Sequence, residues 1–311
     1  MDEKISILMP SYNYASYIRE AIESVIKQTY TNWELIIIDD ASTDSSLGII
    51  KEYLRKDPRI KLVINEKNLG LAKTLKKGIS FAEGNWIAFL ECDDIFQPTS
   101  LEKKIEAAQN GAELIFSAAE GFDNKNKIQK FEKHIDDINK YIIKLDKSMF
   151  IEGFPDFVYK TNIIPTFSVV MVKKEILAGC NFNPLCETAL DYYLWAQLCF
   201  YKIYYIHEKL TLWRLHNDSY LNRKQYSWLR KFLFSISIFA QTIQNKNRIQ
   251  QFFIIANSVR RRLIYFNISK NRIKLSLFNN RYIFQKFLLV LHRFLSLLPT
   301  QFRPLVQAMH K

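Results

Sequence analysis

Two periodicities alternate along the first 117 residues. Short apolar runs rich in Ile, Leu and Val predict buried strands at Ile5–Met9, Glu34–Ile38, Ile60–Ile64, Trp86–Leu90 and Glu113–Ser117. Between them, apolar residues recur every three or four positions. Ile18, Ala21, Ile22, Val25 and Ile26 mark one face of a helix over 14–28. Ser42, Thr43 and Asp44 are candidate caps for a second helix, running through Ile49, Ile50 and Tyr53 to Lys56. A third helix runs from the Asn68-Leu69-Gly70 turn to Phe81, with Gly84 in the turn beyond. Thr99 and Glu102 have the spacing of a capping box for a fourth, ending near Asn110. Such alternation predicts an α/β fold: a mainly parallel sheet with helices on both faces.

The pattern then loosens. Ala118–Pro165 is polar and irregular, which predicts a loop-and-helix insertion of the kind that sets substrate specificity. Phe167–Lys173 reads as a returning strand. Thr188–Phe200 reads as a helix with Leu190, Leu194, Trp195 and Leu198 on one side, and Lys202–Ile206 and Leu210–Arg214 as two short strands. Beyond Tyr220 the chain is helical and basic to its end. The expected division is a domain over 1–219, with halves 1–117 and 118–219, and a basic amphipathic helical region over 220–311.

Composition adds bounds. The 311 residues are 48% hydrophobic and 24% charged, as in a globular protein. Cys92, Cys180, Cys186 and Cys199 include no C-x-x-C pair, which predicts reduced thiols in the cytoplasm. Met1-Asp2-Glu3-Lys4 leads straight into a strand-like run, unlike a signal peptide, and no apolar stretch is long enough for a spanning helix. The net charge of +13 is unevenly placed. No Asp or Glu occurs from Ser219 to Lys311, where 17 Lys and Arg fall; the preceding residues carry a net charge of −4.

Candidate chemistry sits at the strand ends. Glu91-Cys92-Asp93-Asp94 directly follows Trp86–Leu90, and Asp39-Asp40 ends the second strand. Buried carboxylates are costly without a cation beside them, and open α/β sheets bind ligands beyond the carboxyl ends of their strands. A divalent metal carrying a nucleotide diphosphate answers both conditions. Either acidic pair alone is equally a turn former or helix cap; the two together favour a ligand site. No glycine-rich phosphate loop is present, so a metal is the natural counter-charge.

The segments Ile5-Ser6-Ile7-Leu8-Met9-Pro10-Ser11-Tyr12-Asn13, Trp33 to Asp44, Asn68-Leu69-Gly70 and Leu90 to Asp94, in this order and spacing, resemble the nucleotide-sugar half of family 2 glycosyltransferases. The resemblance covers about the first 115 residues, with weaker matches to about Asn222. It implies a GT-A (Rossmann-like) fold and an inverting transfer. Pro10 and Tyr12 would line a uridine pocket, with Asp39 reading the base and Asp40 beside it. Glu91, Cys92 and Asp93 occupy the family's D-x-D positions, with Glu91 replacing the first Asp. Asp93, with Asp94 as neighbour, would hold Mn²⁺ or Mg²⁺. Leu75-Lys76 replaces a frequent Arg-Asn pair; Lys76 or Lys73 would reach a phosphate, or simply lie exposed on its helix.

Leu190-Asp191-Tyr192-Tyr193-Leu194-Trp195 resembles the family's catalytic-base segment, with Leu190 in place of the usual first acid. The resemblance makes Asp191 the base. Thr188 and Asp191 also have capping-box spacing, a reading compatible with the first. Trp213-Arg214-Leu215-His216-Asn217-Asp218-Ser219 resembles a segment in which Arg214 and His216 contact the leaving diphosphate and His216 approaches the metal. The implied reaction moves a sugar from a UDP-sugar to a glycan or lipid-linked glycan acceptor, in surface polysaccharide, lipooligosaccharide or lipid-linked oligosaccharide synthesis. Glu91 and Leu190 motivate the alternative of a catalytically degenerate nucleotide-sugar- or glycan-binding module. The basic tail has three readings: an anionic membrane surface, which would place the enzyme at the inner face of the cell membrane, packing or homo-oligomerisation through its helices, and nucleic acid. The last is disfavoured because Phe232–Ala240, Phe252–Ala256 and Phe287–Leu298 are too apolar for a solvated basic arm.

Overall fold

A computed structural model describes residues 3–141, 143–152, 162–184 and 190–216. The chain divides into units Met1–Ser227 and Trp228–Lys311; the expected basic helical region lies outside the described residues. In the first unit, β1 (Ile5–Ser11), α1 (Ile18–Ile26), β2 (Trp33–Asp39), α2 (Ser46–Leu54), β3 (Ile60–Ile64), α3 (Leu71–Phe81) and β4 (Trp86–Phe89) alternate as expected. They are followed by β5 (Ile95–Phe96), α4 (Ser100–Gln109), β6 (Leu114–Asp123), α5 (Lys125–Tyr141) and β7 (Met149–Phe150). A 3-10 turn at Phe167–Val169 leads into β8 (Val170–Lys173), then α6 (Lys174–Ala178), α7 (Leu190–Leu198) and β9 (Ile203–Leu215).

One nine-stranded sheet runs in the order β3-β2-β1-β4-β8-β6-β9-β5, with β7 beside β9. It is parallel over most of its paired length; β8 runs antiparallel to both β4 and β6, and β5 and β7 run antiparallel to β9. Strand alternation sends Ile5, Ile7 and Met9 of β1 into a core with Ile18, Ile22 and Val25 of α1 and Leu101 and Ile105 of α4. The opposite face takes α3: a Cβ on Gly78 would stand 2.7 Å from Ile38 Cδ1, so glycine lets this helix lie close on the sheet. Among the described residues no helix is long and apolar enough to cross a membrane.

Where the pattern was irregular, the structure corrects it. Lys202–Ile206 and Leu210–Arg214 are one continuous strand, β9. Exposed His207 and Glu208 interrupt the apolar run only because a bulge pushes them out, the register shifting from Ser117↔Ile206 to Ala118↔Lys209. Pairing with β9 also carries β6 on to Asp123, well past Ser117. The Thr99–Glu102 capping box does not form: Thr99 makes no side-chain cap bond, and Glu102 instead accepts from Thr29 Oγ1 at 2.8 Å. Cys92, Cys180 and Cys199 are free buried thiols, while Cys186 lies outside the described residues.

The amino ends of the strands are fastened by a buried carboxylate. Glu34 accepts from Ser6 Oγ at 2.6 Å and from the Glu83 amide at 2.7 Å, and pairs with Lys61 Nζ at 2.7 Å. Burial alone would raise its pKa, yet Lys61, Ser6 and the Glu83 amide outweigh burial and hold it below the usual range. The carboxyl ends remain for the chemistry.

Candidate active site

The loops after β1 and β2 are built against one another. The Asn13 amide donates to Ser42 Oγ at 3.0 Å, Asn13 Oδ1 accepts from the Thr43 amide at 2.8 Å, and the Ala15 amide donates to Asp44 Oδ2 at 3.0 Å. Asp44 Oδ1 also accepts from the Ser46 amide at 2.9 Å, in the first turn of α2, so of the candidate caps it is Asp44 that serves the helix start. Asn13 and Ala41 stand at φ 59° and 62°. Asparagine tolerates that left-handed region; for Ala41 it stores strain of about 1–3 kcal/mol in the turn after β2.

Within this frame the two acids of the second strand separate in role. Asp40 is buried and saturated: Oδ1 accepts from Asn65 Nδ2 and the Leu69 amide, both at 2.8 Å, and Oδ2 from the Gly70 amide at 2.9 Å. It therefore holds the Asn68-Leu69-Gly70 turn that starts α3, with Gly70 at φ 82°. Asp39 Oδ2 accepts from the Ser42 amide at 2.9 Å, but its buried Oδ1 has no hydrogen-bond partner among the described residues. A buried carboxylate oxygen left without a donor is expensive and points to a donor that arrives with a ligand. Tyr12 is exposed near this loop and Pro10 half-buried. Lys73 and Lys76 lie on the exposed face of α3, and Leu75 faces the core.

The acidic turn after β4 is held from three sides. Cys92 Sγ donates to the Pro10 carbonyl at 3.2 Å, and burial together with Asp93 keeps that thiol neutral. The Glu91 amide donates to Ser168 Oγ at 3.0 Å, and Thr166 Oγ1 donates to Glu91 Oε2 at 2.6 Å. Asp94, 1% exposed, accepts from Ser168 Oγ at 2.6 Å, Thr166 Oγ1 at 3.3 Å and the Arg214 amide at 3.0 Å. Of the two acids expected to hold a metal, Asp94 is thus occupied in shaping the turn. Asp93 Oδ2 instead meets His216 Nε2 at 2.9 Å. β5 pairing with β9 brings the end of β9 here, which is why residues 123 positions apart converge.

The Asp93 carboxylate and His216 imidazole, in direct contact, are groups that could together hold a divalent cation. Among the described residues no group of three or more His, Cys, Asp or Glu is arranged as a metal cage. Asp93 and His216 are the two residues that would hold a Mg²⁺ or Mn²⁺ here, with a substrate diphosphate supplying further oxygen ligands. Arg214 is committed inward. Its Nε donates to the Asp93 carbonyl at 3.0 Å and its Nη2 to Glu20 Oε2 at 2.9 Å, with its guanidinium between the rings of Tyr17 and Phe122, 4.9 and 4.4 Å from their centroids. It locks the acidic turn to α1 and β9.

Asp191 opens α7. Trp195 of that helix packs on Phe89 and Phe167, with ring centroids 6.3 and 5.5 Å away, so the helix is seated against β4 next to the acidic turn. Burial pushes the Asp191 carboxyl up to about 6, against the Tyr192 amide and the Asn162 side chain. Burial, then Asp93 and Asp191, also raise Glu91 well above the usual range, which places the D-x-D position and the candidate base in one electrostatic field. Thr188, the other half of the possible capping box, lies outside the described residues.

Sequence patterns missed the segment that joins these parts. Asn162 Nδ2 donates to Asp191 Oδ2 at 2.9 Å, while Thr166 and Ser168 bond Glu91 and Asp94. The only available signal was a pair of hydroxyls two positions apart before a strand, a commonplace arrangement. Lys104, fully buried, was equally silent: its Nζ donates to the Ser168 carbonyl at 3.4 Å and lies over Phe96, and burial pushes its pKa down to about 7.

The model of the family described as glycosyl transferase family 2 matches residues 6–175. An uncharacterized glycosyltransferase of Methanocaldococcus jannaschii is 33% identical over 236 residues, 72% of this chain and 77% of its own. A UDP-Glc:alpha-D-GlcNAc-diphosphoundecaprenol beta-1,3-glucosyltransferase of Escherichia coli is 39% identical over 131 residues, 42% of this chain and 51% of its own. Among solved structures, S. aureus TarS 1-349 in complex with UDP superposes with a TM-score of 0.65 at 17% identity, covering 97% of this chain and 83% of that one. The fold is that of the GT-A glycosyltransferases.

Proposed function

Because this chain belongs to glycosyl transferase family 2 and is a glycosyltransferase, we propose that it moves a sugar from a UDP-sugar to a hydroxyl of a glycan acceptor with inversion at the anomeric carbon. One observation supports the reading: the segment 162–168 bonds Asp191 through Asn162 and the acidic turn through Thr166 and Ser168, which links a candidate base to a candidate diphosphate site. The unpartnered Oδ1 of Asp39 suits the imide N–H of a uracil ring. S. aureus TarS has been solved with UDP and with UDP-GlcNAc, which supports a uridine donor.

Each residue then has a task. Asp39 orients the base of the nucleotide. Asp93 and His216 would hold Mn²⁺ or Mg²⁺ against the diphosphate; when bound, such a cation neutralises the charge that develops on the leaving group. Arg214 and Asp94 keep Asp93 at its place. Asp191 accepts the proton of the acceptor hydroxyl as that oxygen attacks the anomeric carbon. A single displacement with Asp191 as base inverts the centre.

The E. coli relative acts, by its name, on a diphosphoundecaprenol-linked sugar. Together with 17 basic and no acidic residues from Ser219 onward, this supports a lipid-linked acceptor met at an anionic membrane surface. The test is UDP release from UDP-glucose and UDP-GlcNAc, with and without Mn²⁺. Metal-dependent release is expected; nucleotide binding with no turnover of any donor would support a binding module instead.

A further inference from the structure

Asn162 is the one described side chain that the structure bonds to the Asp191 carboxylate. It lies in the irregular segment leading to the 3-10 turn, four residues before Thr166 and six before Ser168. Its own orientation is set locally, because Oδ1 accepts from the Ile164 amide at 3.2 Å. The amide is therefore turned with its N–H₂ toward α7, giving Asp191 a directional side-chain donor, beside the Tyr192 amide, in a desolvated place. Along the same seven residues, Thr166 bonds Glu91 and Asp94, and Ser168 bonds Asp94 and the Glu91 amide. One short strap thus ties the acidic turn to the base, although the two come from distant parts of the chain.

We propose that Asn162 is a positioning residue for the transfer: it holds the Asp191 carboxylate at a fixed orientation, and through the Asn162–Ser168 strap at a fixed distance, relative to the acidic turn. The proposal rests on the reading of Asp191 as base. Its physical content is that an amide hydrogen bond to Oδ2 restricts the orientation of the carboxylate relative to the strap. The same bond favours the ionised form, opposing the burial that raises this carboxyl. Of the acidic turn, it is Glu91 that feels the Asp191 charge, which adds to the burial and the Asp93 charge that raise it.

The experiment compares the full chain with Asn162→Ala, Asn162→Ser and Asp191→Asn. Hydrolytic UDP release from UDP-glucose and UDP-GlcNAc with Mn²⁺ gives kcat and KM, and carbon-13 NMR follows the Asp191 carboxyl, assigned by its loss in Asp191→Asn. In Asn162→Ala, kcat falls roughly tenfold with donor KM nearly unchanged, and the Asp191 titration moves up by roughly half a unit or more. Asn162→Ser retains an acceptor for the Ile164 amide but is too short to hold the carboxylate, so it gives the same pair of changes and serves if the alanine variant does not fold. An unmoved Asp191 titration, or a moved titration with unchanged kcat, overturns the proposal. Undiminished release in Asp191→Asn removes the base reading itself, an outcome separate from either of those.

Discussion

A carboxylate desolvated to a pKa of about 6 and restrained by one amide is a base ready at neutral pH. UDP release is therefore expected to rise with pH through about 6 and to level above it; a flat profile between pH 5 and 7.5 would remove Asp191 from the rate-limiting proton transfer. The same shift has a stability sign. Asp191's folded pKa lies above its unfolded value, so its contribution is fully present below the unfolded pKa and is lost as pH rises through the folded one. Asp191→Asn escapes that loss and should stabilise the apo-protein by about 1–2 kcal/mol at pH 7.5, an advantage that disappears near pH 4, read by urea unfolding. Asp93→Ala should abolish the Mn²⁺-dependent part of UDP binding in calorimetry, since it would remove one of the two proposed ligands, which lie in contact. Unchanged metal dependence would exclude Asp93 as a ligand. Asp39 and Asp93 were legible as candidates because acids at strand ends are costly without a ligand. Asp40 and Asp94 are just as acidic in sequence, yet each spends its oxygens on the fold. Composition cannot separate the two fates, because they depend on which donors lie opposite.

Elements decide where those donors lie. The helix bearing Asp191 is seated by Phe89, Phe167 and Trp195, which come from β4, the 3-10 turn and α7. Trp195 is fully buried, and Trp195→Ala should cost about 3–5 kcal/mol in urea unfolding through loss of this packing; a cost below 1 kcal/mol would show that α7 is seated otherwise. Gly84 marks the other limit of tolerance. A Cβ there would stand 2.4 Å from the Lys4 carbonyl oxygen, and the Gly84 amide donates to Ser6 Oγ at 2.8 Å. Gly84→Ala should push β1 and β4 apart at their amino ends. The strands and helices of the first half were readable because each has a single unbroken period. β9 was not, because its bulge places polar residues inside a strand, and the pattern of residues 207–209 is that of a turn until β6 is laid beside it.

At the scale of the molecule, charge separates what binding must join. Full-length protein should sediment with vesicles containing anionic lipid at low salt and be released by roughly 0.5 M salt, where screening shortens the Debye length to a few ångströms; equal sedimentation with neutral phosphatidylcholine vesicles would count against the electrostatic reading. Residues 5–117 by themselves dictated the parallel sheet, its helices and the position of both acidic strand ends, because hydrophobic period and strand-end acids are local properties of the chain. Tertiary structure alone decided which acids are consumed by hydroxyls and amides and which, like Asp39, keep an oxygen without a partner among the described residues. It also brought His216 to Asp93 and laid Asn162 against Asp191. Those pairings join residues 123 and 29 positions apart, and nothing in local sequence encodes the sheet order that closes such distances.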